Sequence, residues 1–173
     1  RPRRIPRRLP SVSDDARVGG RLWLWVVLLG LTGQLAWTIE NMYLNVFVYN
    51  TITTDPTVIA VLVAASAVAA TASTLAVGAW SDRVGRRREF IAVGYVLWGA
   101  TTAAFGLVKP QLPDGVALGA PEAARAVGVA VVTIVVLDCV MSLFGSGAND
   151  AAFNAWVTDT TAPANRGRVD GVL

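Results

Sequence analysis

Three carboxylates stand inside long apolar stretches of this chain: Glu40, Asp138 and Asp150. An acid surrounded by hydrocarbon is costly to keep, so such residues are functional candidates as carriers of a proton or cation. A fourth acid, Asp82, sits where an apolar run ends, and Arg83, Arg86, Arg87 and Arg88 follow it directly. Other kinds of chemistry lack their side chains. There is no histidine, which removes the usual zinc sites and the usual neutral-pH base. Cys139 is the one cysteine, so no intrachain disulfide can form. Nothing offers nucleophile, metal or paired acid–base spacing, so neither enzymatic activity nor a cofactor is expected.

Near Glu40 runs a polar stripe. Gln34, Trp37, Thr38, Asn41 and Asn45 recur at i, i+3, i+4, i+7 and i+11, one face of a helix. Buried amides need partners, which are either neighbouring helices or a polar solute. A sugar fits such a stripe: amides match its hydroxyls, and an indole can stack on the apolar face of the ring. The plainer reading is that the stripe only bonds to neighbouring helices. Glu40 lies roughly 100° from Asn41 on the wheel and either pairs within the bundle or joins in proton coupling. On the last apolar stretch Asp138, Ser142 and Asn149 share a face under regular α periodicity, with Ser146, Asp150 and Asn154 on an adjacent one.

The elements that position these residues are membrane helices. The chain is 54% hydrophobic and 16% charged, its mean hydropathy is positive, and its charges fall in short blocks. Because a helix needs about 20 residues to cross the hydrocarbon, four spans can be drawn, at 22–49, 57–80, 90–108 and 126–157. The second carries no charge and is dense in Ala, Ser, Thr and Gly, which allows close helix packing. The fourth would be roughly 48 Å long if wholly helical, so it must tilt, protrude or start late. Arg1 in place of methionine, and a stop at Leu173 at the expected start of another helix, read as a fragment.

Lysine and arginine counts give the orientation. With the N-terminus inside, seven basic residues of the tail region, four after Asp82, and Arg166 and Arg168 fall in the cytoplasm. Only Lys109 and Arg125 fall outside. The +3 net charge therefore follows membrane topology and is no sign of nucleic-acid binding. Residues 1–20 form a tail whose opening Arg-Pro-Arg-Arg-Ile-Pro-Arg-Arg holds too many prolines to form a helix. They read as a disordered topology determinant, with a lipid- or partner-binding role as the alternative. A cleaved signal peptide does not fit the long first apolar run.

Gly78-Ala-Trp-Ser-Asp82-Arg83-Val-Gly85-Arg86-Arg87 has a specific form. Gly78 permits close helix approach, Gly85 permits a turn, and the arginines gather on one membrane face. This G-x-x-x-D-R-x-G-R-R pattern resembles the loop between the second and third helices of the major facilitator superfamily of secondary transporters. The resemblance covers residues 21–173. It implies an all-α integral membrane fold: four complete spans and the start of a fifth, from the N-terminal half of a twelve-helix transporter in the cell membrane. The remaining helices and the lipid bilayer would be its structural partners. In that superfamily two six-helix halves rock about a midplane site. Asp82 would then latch onto the N-terminus of a helix from the other half, with Arg83 and Arg86 bonding to acids such as Asp159. Alternatively Arg86, Arg87 and Arg88 merely hold the loop inside.

Asp150-Ala-Ala-Phe-Asn-Ala-Trp-Val-Thr-Asp159, leading into Arg166-Gly-Arg168, resembles the fourth-helix region of the glycoside–pentoside–hexuronide cation symporters. On that match Asp150 is the cation-site acid, and a solute met by the first-helix stripe of Gln34, Trp37, Asn41 and Asn45 would be sugar-like. The chain also departs from that branch. Acids expected four and eight residues before Gly78 are replaced by Thr74 and Ala70. A sodium site needs several oxygen ligands, whereas a proton needs only one carboxylate, so a proton is the expected coupling ion. Glu40, Asp138 and Asp150 can each serve. A drug or metabolite exporter on the same fold, and a non-transporting membrane scaffold, are the alternatives.

Overall fold

The computed structural model describes residues 19–111 and 120–172; the basic tail before residue 19 lies outside them. The described chain is all-helical. Helix α1 covers Gly20–Thr51, α2 Pro56–Val84 and α3 Arg87–Ala104, the last continued by a 3-10 turn at Phe105–Leu107. Helix α4 covers Pro121–Gly145 and passes without a break through a π-helical segment, Ser146–Phe153, into α5, Asn154–Thr160. A 3-10 turn at Pro163–Asn165 and a short α6, Arg166–Asp170, follow. Four helices are long and apolar enough to cross a membrane, counting Pro121–Thr160 as one of 40 residues. At 1.5 Å per residue that rod is roughly 60 Å long, about twice the hydrocarbon thickness, so tilt or protrusion is unavoidable.

Local chemistry sets the helix ends. Asp55 caps α2: its carboxylate accepts from the Thr57 backbone N–H at 2.8 Å, and Pro56 occupies the first position, where a missing N–H costs nothing. Gly85 closes α2 at φ 69°, a left-handed conformation that glycine adopts without steric penalty. The turn is tight, and Arg87 already begins α3. Pro121 opens α4 in the same way that Pro56 opens α2.

Helices α2 and α3 both pack against α4 and its π segment. Close approach depends on small residues. A methyl group at Gly94 of α3 would stand 2.5 Å from the Ala148 Cβ, and one at Gly147 would stand 2.9 Å from the Ser73 hydroxyl. Trp98 lies flat against Gly145. One apolar cluster joins Val48, Leu62, Trp98, Ile134 and Met141; another joins Val26, Ile91, Phe153, Val157 and Val169. Through Val169, α6 folds back under the bundle. Outward faces stay apolar, with Leu24, Leu31, Val68, Leu75 and Val96 all more than half exposed. Such continuous surfaces require an apolar surrounding.

Regular α periodicity fails on the fourth span. In a π helix each N–H bonds five residues back, so the segment adds residues per turn and rotates everything after it. Asp138, Ser142 and Asn149 consequently do not keep a common environment. Asp138 and Ser142 line a cavity beside α1, whereas Asn149 points to Tyr95 and Gly33. The carbonyl of Leu143, just before the π segment, receives the Ser73 hydroxyl at 2.5 Å.

Candidate functional site

Along α1 the polar stripe is a run of local bonds. The Thr38 hydroxyl donates to the Gln34 carbonyl at 2.7 Å, and the Asn41 amide donates to the Trp37 carbonyl at 2.8 Å. Asn45 donates to the Asn41 carbonyl at 3.4 Å. The two asparagine bonds use one amide hydrogen each and leave the other amide hydrogen and the side-chain oxygen of Asn41 and Asn45 available. Trp37, Asn41 and Asn45 line a cavity of about 200 Å³ between α1, α2 and α4. Gln34 does not line it.

Two acids face the same cavity. Glu40 comes from α1 and Asp138 from α4, near enough for their charges to interact. Asp138 is 2% exposed, with Ser66 of α2 facing it and Ser142 one turn further along α4. Glu40 accepts from the Trp98 indole N–H at 3.2 Å, which ties α1 to α3. Trp98 in turn contacts Trp37 (ring centroids 5.5 Å apart) and Tyr95 (5.7 Å). The site is thus a pair of carboxylates, an indole wall and two amides. Charged residues lining it are acids only.

Asp150 is placed elsewhere. It is exposed on the π segment, where its carboxylate accepts from the Asn149 amide at 3.1 Å. Asn149 itself is buried and accepts from the Tyr95 hydroxyl at 2.8 Å. That contact requires Gly33: a methyl group there would collide with the Asn149 carbonyl oxygen. Sequence reasoning missed Trp98, Tyr95 and Ser66. An aromatic or serine on an apolar helix carries no mark of which neighbour it meets, so no local signal separates these residues from ordinary packing.

A second constellation gathers where α2 and α5 end and α3 begins. Arg87 donates from Nε to Asp159 Oδ2 at 2.5 Å, and its Nη1 lies 2.8 Å from Asp82 Oδ1 and 3.4 Å from the Ser81 hydroxyl. Its side chain is 17% exposed, against 62% for Asp82 and 56% for Asp159, so the guanidinium is the buried centre of the group. This corrects the expectation that Arg83 and Arg86 would bond to Asp159. Gly85 turns the chain so sharply that Arg86 stays at the start of α3, paired with Glu89 of its own helix. Arg87, one residue later, points back towards Ser81 of α2 and across to Asp159. Gly78, one turn before Asp82, lies 3.8 Å from the Ala151 Cβ by the position its own Cβ would take. Arg166 adds a further tie by donating to the Thr158 carbonyl at 3.1 Å.

The model of the family described as Major Facilitator Superfamily matches residues 22–173. No curated protein and no solved structure matches the chain.

Proposed function

Because the chain belongs to the major facilitator superfamily and is a multi-pass membrane transporter, we propose that it moves a small polar solute, sugar-like in chemistry, by proton-coupled alternating access. The observation that carries this reading is the cavity in which Trp37, Asn41 and Asn45 meet Glu40 and Asp138. Amides supply directional bonds to hydroxyls, and an indole offers a flat apolar surface to a sugar ring. The carboxylates stand beside the solute rather than at a distance from it. A proton on one of them can therefore be felt by the solute directly, through the loss or gain of charge and of one hydrogen-bond donor. The cavity is half of a site in this reading, closed by helices of a second bundle.

One observation favours a second reading. Acids alone supply the charged lining, and an indole attracts cations as well as sugar rings. An organic cation exchanged for protons would also suit such walls. Counterflow into vesicles holding the full protein separates the two, with a panel of radiolabelled sugars, glycosides and organic amines. Under the primary reading a sugar or glycoside exchanges, and Asn41→Ala raises its half-saturation concentration between about twofold and tenfold, as the loss of one neutral hydrogen bond implies. Exchange of amines alone would rule out the sugar reading.

The proposed orientation places the N-terminus and the Asp82–Glu89 turn in the cytoplasm, following the arginine asymmetry. With Cys139 replaced by serine, a single cysteine at Gln111 is expected to react with an impermeant thiol reagent added outside intact cells. A cysteine at Arg88 is expected to react only after the cells are opened. The opposite pattern would invert the topology.

A further inference from the structure

Where α1 begins, α3 begins and α5 runs past them, the bundle encloses a second cavity, of about 790 Å³. Its rim carries Arg21 of α1 and Arg88 of α3, and its walls include Trp25, Trp156, Leu29 and Ile91. Of the neighbouring arginines, Arg86 pairs with Glu89, and Arg87 with Asp82 and Asp159. Among the described residues, Arg21 and Arg88 have no such acid, although both face one space. Two guanidinium groups lining one space can share an anion, and phosphate geometry suits the guanidinium fork. Below the rim the walls turn apolar, from Trp25 to Leu29 along about one turn of α1. Tryptophans at that level are the usual mark of a membrane–water boundary.

We propose that this cavity holds an anionic phospholipid of the bilayer. Its phosphate sits between Arg21 and Arg88, and an acyl chain lies along Leu29 and Ile91. A bilayer lipid is favoured over a soluble anion because the charged rim and the apolar wall are continuous. Placed at the junction of α1, α3 and α5, the lipid would brace the same end of the bundle that Arg87 ties.

The full protein in nanodiscs of phosphatidylcholine, with and without phosphatidylglycerol, tests this by lipid retention in native mass spectrometry and by thermal unfolding. Phosphatidylglycerol is expected to raise Tm and to stay bound. The double variant Arg21→Gln/Arg88→Gln is expected to bind it roughly 30-fold more weakly, the combined worth of two basic groups near an anionic surface. Should that variant fail to fold, Arg21→Gln alone is expected to lose roughly fivefold. Arg168→Gln, an equal charge change outside the cavity, should bind like wild type. Undiminished retention by the glutamine variants, no effect of phosphatidylglycerol on the wild type, or equal stabilisation by inorganic phosphate alone would each overturn the proposal.

Discussion

Asp138→Asn is expected to abolish solute accumulation driven by a pH gradient while sparing counterflow. The substitution keeps the volume of a side chain that is 2% exposed and removes only its ability to carry a proton in exchange for charge. Accumulation depends on that proton: one proton moving down one pH unit is worth about 1.4 kcal/mol and sustains about tenfold accumulation, which should fall to parity. Counterflow never requires the empty carrier to return, so it can proceed with the site permanently neutral. Asp138 ranks ahead of Glu40, since Glu40 already accepts from Trp98 and Glu40→Gln retains an oxygen for that bond. It also ranks ahead of Asp150, which the motif resemblance puts first but which lies exposed, outside the cavity that Asp138 and Glu40 share. All three variants are to be compared at matched expression in vesicles. Full accumulation by Asp138→Asn together with its loss in Asp150→Asn would move coupling to the π segment.

The second large effect is expected at Arg87. Arg87→Lys keeps the positive charge proposed to orient the loop but cannot present Nε and Nη1 to two acids at once. Asp82 and Asp159 are each more than half exposed, and ion pairs to such acids contribute only about 0–1 kcal/mol each, so global stability should change little. Yet about 1.4 kcal/mol is a tenfold shift between inward-open and inward-closed populations. Transport is therefore expected to fall about tenfold, solute binding to survive, and accessibility near Asp82 from the proposed cytoplasmic side to rise. Asp82→Asn should act in the same direction, because it removes both the pair to Arg87 and the charge proposed to meet a facing helix N-terminus. Wild-type transport by Arg87→Lys would show that the arginine serves topology alone.

Much of the architecture is legible in the order of residues. Four apolar runs impose four helices, because a backbone in hydrocarbon must satisfy its own hydrogen bonds and the helix is the local way to do so. Pro56, Gly85 and Pro121 mark helix ends by constraints internal to a single residue. The α1 stripe is also readable, since the 3.6-residue repeat alone places Trp37, Asn41 and Asn45 on a common face. Each of these depends on chemistry within a few residues of chain.

Contacts between helices are not legible in the same way. Which arginine meets Asp159 depends on how the Gly85 turn aims two successive side chains, and the sequence offers Arg86 and Arg87 as equals. Where the polar groups after Gly145 point depends on the π segment, whose extra residues per turn carry Asn149 towards Tyr95 and leave Asp150 exposed. A periodic wheel cannot register that insertion. Trp98 finds Glu40 only because Gly145 lets its ring lie against α4 and reach α1. The sequence alone determined the helices, their ends and their chemically marked faces, because short-range sterics and the apolar solvent leave few choices. Tertiary structure decided which marked groups meet, because a shift of one residue in helix register rotates a side chain by about 100° and exchanges its neighbours.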